Sequence, residues 1–271
     1  MDLLAVPIGL LIGLSLGGLG GGGSILTVPA LVYLLSQGTR SATTESLIIV
    51  GVSALAGAAV HYRAGRVRVR EGVIFGVLGA GGSYAGSRLS ASVDPHVLLA
   101  AFSALLLAVA VPMVRRRRSR APDPVPVPSG GPGPVPGATE GGPAAAARGP
   151  VWVMAAATLV GLVTGFFGVG GGFVVVPALV LALGFSMPAA IGTSLLVIAI
   201  NSASALLFRI GSHAHLHLSL LAVFTAATIA GTVAGAKASG RARPEGLVRA
   251  FAVLLVLVAV YTAARSVPHL V

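Results

Sequence analysis

The chain has 271 residues, 55% of them hydrophobic and only 9% charged, and a mean hydropathy of +0.96. Soluble domains carry roughly 25% charged residues, so an ordinary water-facing surface is excluded and a polytopic membrane protein is expected. The formal charge of +11 sits on arginines in the gaps between apolar runs, where the positive-inside rule puts them, which argues against nucleic acid as a partner; with no cysteine, disulfides, thiol catalysis and iron–sulfur ligation are excluded too.

The apolar runs cover 3–35, 42–62, 71–90, 96–114, 151–183, 188–210, 215–239 and 246–264. Most are close to the ~20 residues that cross a bilayer as helix. The first and fifth are longer: as one helix at ~1.5 Å per residue each would reach about 50 Å, against a hydrocarbon core of ~30 Å. Each of the two is interrupted by a glycine cluster and carries a proline soon after, so each is a long broken helix or a re-entrant hairpin. Met1-Asp2 lacks the basic start of a secretory signal, and no cleavable signal is expected.

The two interrupted runs are copies of one another. Gly17-Gly18-Leu19-Gly20-Gly21-Gly22-Gly23-Ser24, running on to Val28-Pro29-Ala30-Leu31, matches Gly165-Phe166-Phe167-Gly168-Val169-Gly170-Gly171-Gly172, running on to Val176-Pro177-Ala178-Leu179, at an offset of 148 positions. The register holds further on, with Ser46-Leu47 on Ser194-Leu195 and Val50 on Ile198. The expected fold is therefore all-α, with two pseudo-symmetric repeats of about four apolar helical segments, the first of each broken or re-entrant at its glycine-rich loop. The repeats occupy 1–114 and 151–271. Between them, 115–150 holds Arg115-Arg116-Arg117-Arg118-Ser119-Arg120 and a Pro/Gly/Ala tract, which reads as a disordered cytoplasmic linker anchored by its arginines. If the glycine-broken runs are re-entrant, the 62–71 loop, the linker and the 237–249 loop share one side, holding 14 of the 18 Lys+Arg. If all eight runs cross, the richer side holds 12, so the re-entrant arrangement is the cleaner split and puts both termini outside.

Irregular backbone survives inside a membrane only where it lines a cavity or is buried in protein. A glycine cluster there lets the chain turn and start a half-helix whose first N–H groups lack intrahelical partners and carry the positive end of the dipole. Such a terminus attracts anions without a cationic side chain. Gly21, Gly22, Gly23 and Ser24 from one half, and Gly170, Gly171 and Gly172 from the other, are the candidate substrate-binding backbone, with Pro29 and Pro177 as structural helix breaks. The alternative is that these glycines only let helices pack closely, which is the reading for Gly9/Gly13/Gly17 and Gly76/Gly79/Gly82/Gly86. Thr43-Thr44-Glu45-Ser46-Leu47 matches Ile191-Gly192-Thr193-Ser194-Leu195, and the hydroxyls of Thr44, Ser46, Thr193 and Ser194 serve an oxyanion or, equally, helix capping. Glu45 is an intramembrane carboxylate and a candidate for proton coupling. Asn201, opposite Ser53 in the alignment, is either interhelical glue or a substrate contact. His61 and the group His213, His215, His217 lie at run ends and do not share one helical face, so no metal site and no cofactor is expected. No Walker-type loop and no nucleophile–base motif is present, so no enzyme is expected.

The paired glycine/proline stretches, the Gly192-Thr193-Ser194-Leu195 segment and the His61-Tyr62-Arg63-Ala64-Gly65-Arg66-Val67 stretch resemble the TauE/SafE sulfite exporter family of membrane permeases. The likeness covers both halves and leaves out the linker. It implies a secondary transporter of the cytoplasmic membrane for sulfite, sulfonates or related small organic anions, with Gly22-Gly23, Pro29, Gly170-Gly171-Gly172, Pro177 and Gly192-Thr193-Ser194 as the motif positions. Thr44-Glu45-Ser46 departs from the Gly-Thr-Ser of that pattern and would repel anions or couple them to protons. The expected partners are a small anionic substrate and the lipid bilayer, with homo-oligomerisation left open. Two alternatives stand beside this reading: a cation permease using Glu45, and a non-transporting membrane scaffold acting through the linker.

Overall fold

The computed structural model describes residues 2–35, 37, 39–90, 101–102, 104–110, 150–167, 172–207 and 217–266. Among the described residues all regular structure is helical. In chain order the helices are α1 Asp2–Leu19, α2 Gly22–Pro29 with a π-helical turn Ala30–Leu34, α3 Thr39–Arg63, α4 Val69–Ser90, α5 Pro150–Phe167, α6 Gly172–Leu181, α7 Met187–Leu207, α8 Leu218–Ser239 and α9 Pro244–Ser266. Residues 101–102 and 104–110 are helical as well. Three spans, Ser41–Arg63, Met187–Leu207 and Leu218–Ser239, are long and apolar enough to cross a membrane. The expected linker lies outside the described residues apart from Pro150, which already opens α5, a position where its missing N–H is no loss.

The glycines bring the first run back on itself. Gly20 and Gly21 have φ of 70° and 148°, conformations that residues with a Cβ rarely adopt. Beyond them Gly23 lies against Ile12 O and Leu16 of α1, and Ala30 and Leu31 share a buried cluster with Ala5 and Ile12. Residues later in α2 thus meet residues earlier in α1, so the pair is an antiparallel hairpin: the run enters and returns. Pro29 has no N–H to give, and the chain after it widens into a π turn closed by Leu35 N–H on Ala30 O, 3.1 Å. At Pro177 the helix runs on to Leu181, because the ring's fixed φ suits a helix and only one backbone bond is forfeited.

Helix lengths and starts recur. α1 and α5 have 18 residues each and start 148 positions apart; α4 and α8 have 22 each and start 149 apart. Their partners are exchanged in the same sense. A Cβ on Gly13 or Gly17 of α1 would strike Thr228 O or Thr232 O of α8, and one on Gly161 or Gly165 of α5 would strike Gly79 O or Ser83 O of α4. In both pairs the helices run parallel at a separation only glycine permits. α3 and α7 cross at the centre in opposite directions, since Gly51 meets Ser202 while Gly57 meets Leu195.

These contacts fix the ends. The turn between α3 and α4 sits beside the end of α8, where the Arg66 guanidinium lies against Gly240, and beside the start of α7, where Arg66 O lies against Gly192. α5 starts at that same end because it runs parallel to α4. This is the linker end. The turn before α8 lies at the opposite end, and α3 spans between the two.

The core is built around α6, whose residues Phe173 to Pro177 are all buried, as expected of a helix that is apolar on every side. Phe102 packs on Phe173 edge-on at 5.1 Å and on Phe167 at 5.4 Å. Leu16, Val50, Ala54, Ala58, Leu195 and Ile198 fill the space between α1, α3 and α7. Outward positions such as Leu11, Leu55, Val77, Leu159 and Leu257 are exposed and apolar, a surface suited to lipid rather than water.

Candidate functional site

The first glycine turn meets the start of α6. Gly21 is in backbone contact with Gly172, and a Cβ on Gly172 would lie 2.9 Å from Ser24 Oγ and 2.7 Å from Ile198 Cδ1. Gly21, Gly22, Gly23, Ser24 and Gly172 are all buried. Gly170 and Gly171 lie outside the described residues. The start of α2 therefore lies against Gly172, the first residue of α6, and its Ser24 N–H already bonds Gly21 O at 3.2 Å.

The hydroxyls around the junction are turned onto carbonyls. Ser24 Oγ donates to Gly21 O at 2.7 Å. Ser194 Oγ lies 2.5 Å from Gly20 O and 2.8 Å from Ile191 O, so its single hydrogen serves the hairpin turn and its own helix. His61, fully buried at the end of α3, has Nε2 at 3.1 Å from Gly17 O. α7 and α3 thus both hold the tip of the α1–α2 hairpin through its carbonyls. Lone pairs rather than hydrogens face the junction from Ser24 and Ser194 in this conformation.

The second set stands elsewhere. Glu45, 1% exposed, accepts from the His217 N–H through Oε1 at 3.0 Å. His217 precedes α8 and its carbonyl takes the first bond of that helix, so the carboxylate caps a helix start, where an anion is favoured. Thr193 Oγ1 does the same for α4: it accepts from the Arg68 N–H at 3.0 Å, and Arg68 O takes the bond from Gly72 N–H. Ser46 Oγ donates to Thr43 O at 3.0 Å, as Ser194 does to Ile191 O. Thr44 is buried beside them. Since α3 runs from Thr39 to Arg63, Thr44, Glu45 and Ser46 are roughly 27 Å along the helix axis from the turn that meets Thr193 and Ser194, at ~1.5 Å per residue. The structure brings Ser24, Ser194, the first glycine turn and Gly172 together and leaves Thr44, Glu45 and Ser46 at the opposite end.

Between the ends, Ser53 Oγ and Asn201 Oδ1 are buried without a hydrogen-bond partner among the described residues, and Asn201 lies against Gly79 of α4. Two further polar groups emerged only from the structure, the His61 ring and the Arg66 guanidinium. Their signal in the sequence was the His61-to-Val67 stretch, in which His61 had been weighed only as a metal ligand at a run end. Among the described residues no group of three His, Cys, Asp or Glu could hold a metal.

A chain whose described regular structure is all helical, with membrane-length apolar helices, a glycine-turned hairpin and buried polar groups at its tip, is a membrane protein of the transporter class. Comparison with known proteins agrees: residues 5–262 match the family model described as Sulfite exporter TauE/SafE, and the chain belongs to that family. It is 31% identical over 272 residues to a protein of Xylella fastidiosa (strain Temecula1 / ATCC 700964) named "Probable membrane transporter protein", covering 99% of this chain and 97% of that one. A protein of the same name from Xylella fastidiosa (strain 9a5c) is 32% identical over 197 residues, covering 72% of this chain and 69% of that one. "Probable membrane transporter protein YdhB" of Bacillus subtilis (strain 168) is 30% identical over 96 residues, 35% of this chain and 39% of that one. No solved structure matches the chain significantly.

Proposed function

We propose that the chain is a secondary transporter of the cytoplasmic membrane that carries a small anion, of the sulfur oxyanion, sulfonate or organic acid class, by alternating access between two pseudo-symmetric, inverted halves. The observation that carries this reading is the contact of Gly21 with Gly172 at the buried start of α2. A half-helix N-terminus inside a membrane is an anion site made of backbone alone. The family supports the substrate class, and the antiparallel crossing of α3 and α7, equivalent helices in the two segments, supports the inverted arrangement.

In this mechanism the bonds from Ser194 to Gly20 and from His61 to Gly17 latch the hairpin tip at the linker end. Opening that end requires them to break, and anion entry gives the freed hydroxyl of Ser194 a new acceptor. Glu45, engaged with the His217 N–H, is a capping group rather than a cation ligand in this account. The linker end, with the arginines of the α3–α4 turn and of the linker, is cytoplasmic.

The test is thermal unfolding of purified protein in detergent with sulfite, sulfate, thiosulfate, methanesulfonate, acetate and divalent cations. An anion at 100 times its Kd stabilises the folded state by about 2.7 kcal/mol. Stabilisation by one anion class in the wild type, absent in Gly172→Leu, is the expected result. Stabilisation by a divalent cation alone would overturn it.

A further inference from the structure

The start of α2 has two unlike sides. One is polar: Gly21 meets the backbone of Gly172, and Ser24 Oγ lies 2.9 Å from where a Cβ on Gly172 would be. The other is apolar and comes from the last helix. A Cβ on Gly22 would strike Leu254 Cδ2 of α9, with Leu254 Cγ at 3.7 Å and Leu19 Cβ at 3.9 Å. Cβ atoms tilt toward the N-terminus of their own helix, so the Leu254 methyl lies by the N-terminal rim of α2 rather than along its flank. Leu254 and Leu19 are partly buried against the core cluster that holds Ile25 and Phe251. Their neighbours Val253, Val256 and Leu257 on α9 are exposed, on the side suited to lipid.

That asymmetry bears on what an anion at this rim can be. No side chain caps α2. Gly22 and Gly23 open the helix, so their N–H groups have no partner within it. An anion held there puts its charged head at the rim and its substituent against whatever surrounds the rim. On the Gly172 side the neighbour is backbone, at a separation too small for a Cβ. On the Leu254 side the neighbour is a side chain, whose reach depends on its size. A carbon substituent gains by leaving water against that methyl. A further oxygen, as in sulfate, gives up hydrogen bonds to water and gets none back from it, and a second charge costs more again to desolvate.

We infer that Leu254 is the specificity-determining residue of the anion site: it packs on the organic substituent of a singly charged anion, and its size sets how long that substituent can be. This rests on the transport reading above, with its anion at the start of α2, and narrows the substrate to anions that carry a short apolar tail. Leu19, at the end of α1, completes the same wall.

The experiment is isothermal titration of the full-length detergent-solubilised protein with methane-, ethane-, propane- and butanesulfonate, which share one head group and one charge and differ only in the tail, and with sulfate. In the wild type, butanesulfonate binds more weakly than methanesulfonate. In Leu254→Ala the ratio of butane- to methanesulfonate affinity rises roughly tenfold or more, the discrimination that a methylene or two supplies in an apolar pocket. Leu254→Phe lowers the ratio, and Leu257→Ala, on the exposed side of α9, leaves it at the wild-type value. Loosened packing alone would change all the affinities alike, so the ratio reports the wall. Melting curves show which variants are folded, and Leu254→Val, a smaller step in the same direction, carries the test if the alanine variant is not. An unchanged ratio in the folded variant, or binding of sulfate without any alkanesulfonate, overturns this inference and leaves the transport reading standing. No binding of any of the five anions by the wild type counts against both.

Discussion

Glu45 and Thr193, 148 positions apart, each hold the N–H of the residue that opens a helix in the other segment: Glu45 Oε1 at His217 before α8 and Thr193 Oγ1 at Arg68 before α4, both at 3.0 Å. The two bonds tie α3 to α8 and α7 to α4 at opposite ends of the molecule. One residue offers a carboxyl oxygen and the other a hydroxyl oxygen, yet the task is the same.

That equivalence separates capping from ion binding. Glu45→Gln keeps an oxygen for the His217 N–H, so its unfolding temperature in detergent should stay near that of the wild type. Glu45→Leu and Thr193→Val remove the acceptor, and each should cost about 0.5–2 kcal/mol, the range for a lost helix cap. Anion uptake should survive Glu45→Gln. A cation permease that used this carboxylate would lose its activity in the same variant.

The close helix crossings make a second prediction. Gly17 and Gly165 leave no room for a Cβ, which would meet Thr232 O and Ser83 O. Gly17→Ala and Gly165→Ala should each destabilise by about 1–3 kcal/mol, the cost of overpacking a tight core. Gly81, on the exposed side of α4 with nothing within 4 Å, is the control. Gly81→Ala should leave stability unchanged or raise it by about 0.5–1 kcal/mol, since alanine restricts the unfolded chain and suits a helix. Melting curves of the three variants check the order.

Ser194 should matter for more than packing. Ser194→Ala leaves Gly20 O without its hydroxyl donor in a buried place, at a cost of about 1–3 kcal/mol. It also unlatches the hairpin tip, so anion uptake should fall by a larger factor than in Ser46→Ala, whose hydroxyl bonds within its own helix. Paired melting and uptake measurements separate the two effects.

Much of this was legible in the sequence, because backbone needs leave strong marks. The glycine clusters, their spacing from Pro29 and Pro177, and the 148-position register pointed to two broken runs, and the turn of the first was found at Gly20 and Gly21 where φ is positive. The packing role read for Gly9, Gly13 and Gly17 is where α8 approaches α1. Side-chain partners were not legible. Glu45 stood out as an intramembrane carboxylate, but nothing in the sequence marked its partner, the N–H of His217, 172 residues away. The segment of Thr44, Glu45 and Ser46 matched that of Gly192, Thr193 and Ser194 in the alignment, yet antiparallel crossing of α3 and α7 puts the two sets at opposite ends. Periodicity along one helix carries no information about which helix lies beside it. The partner of His61 was hidden for the same reason, because the carbonyl it meets belongs to α1.

Orientation is open to a clean test because the chain has no cysteine. Single cysteines at Ser119→Cys and Ser266→Cys would be probed on intact cells with a membrane-impermeant maleimide. The cysteine at 266 should label from outside, and that at 119 only after permeabilisation, following the arginine distribution. The reverse pattern would contradict the cytoplasmic assignment of the linker.

The central claim is that the junction of Gly21 and Gly172 carries an anion across the membrane. The most direct measurement is uptake of radiolabelled sulfite, sulfate and methanesulfonate into liposomes reconstituted with the purified chain, alongside Gly172→Val. The account predicts saturable uptake of at least one of these anions by the wild type and none by the variant, with the variant still folded. Equal uptake by both proteins, or no uptake by the wild type, would contradict it.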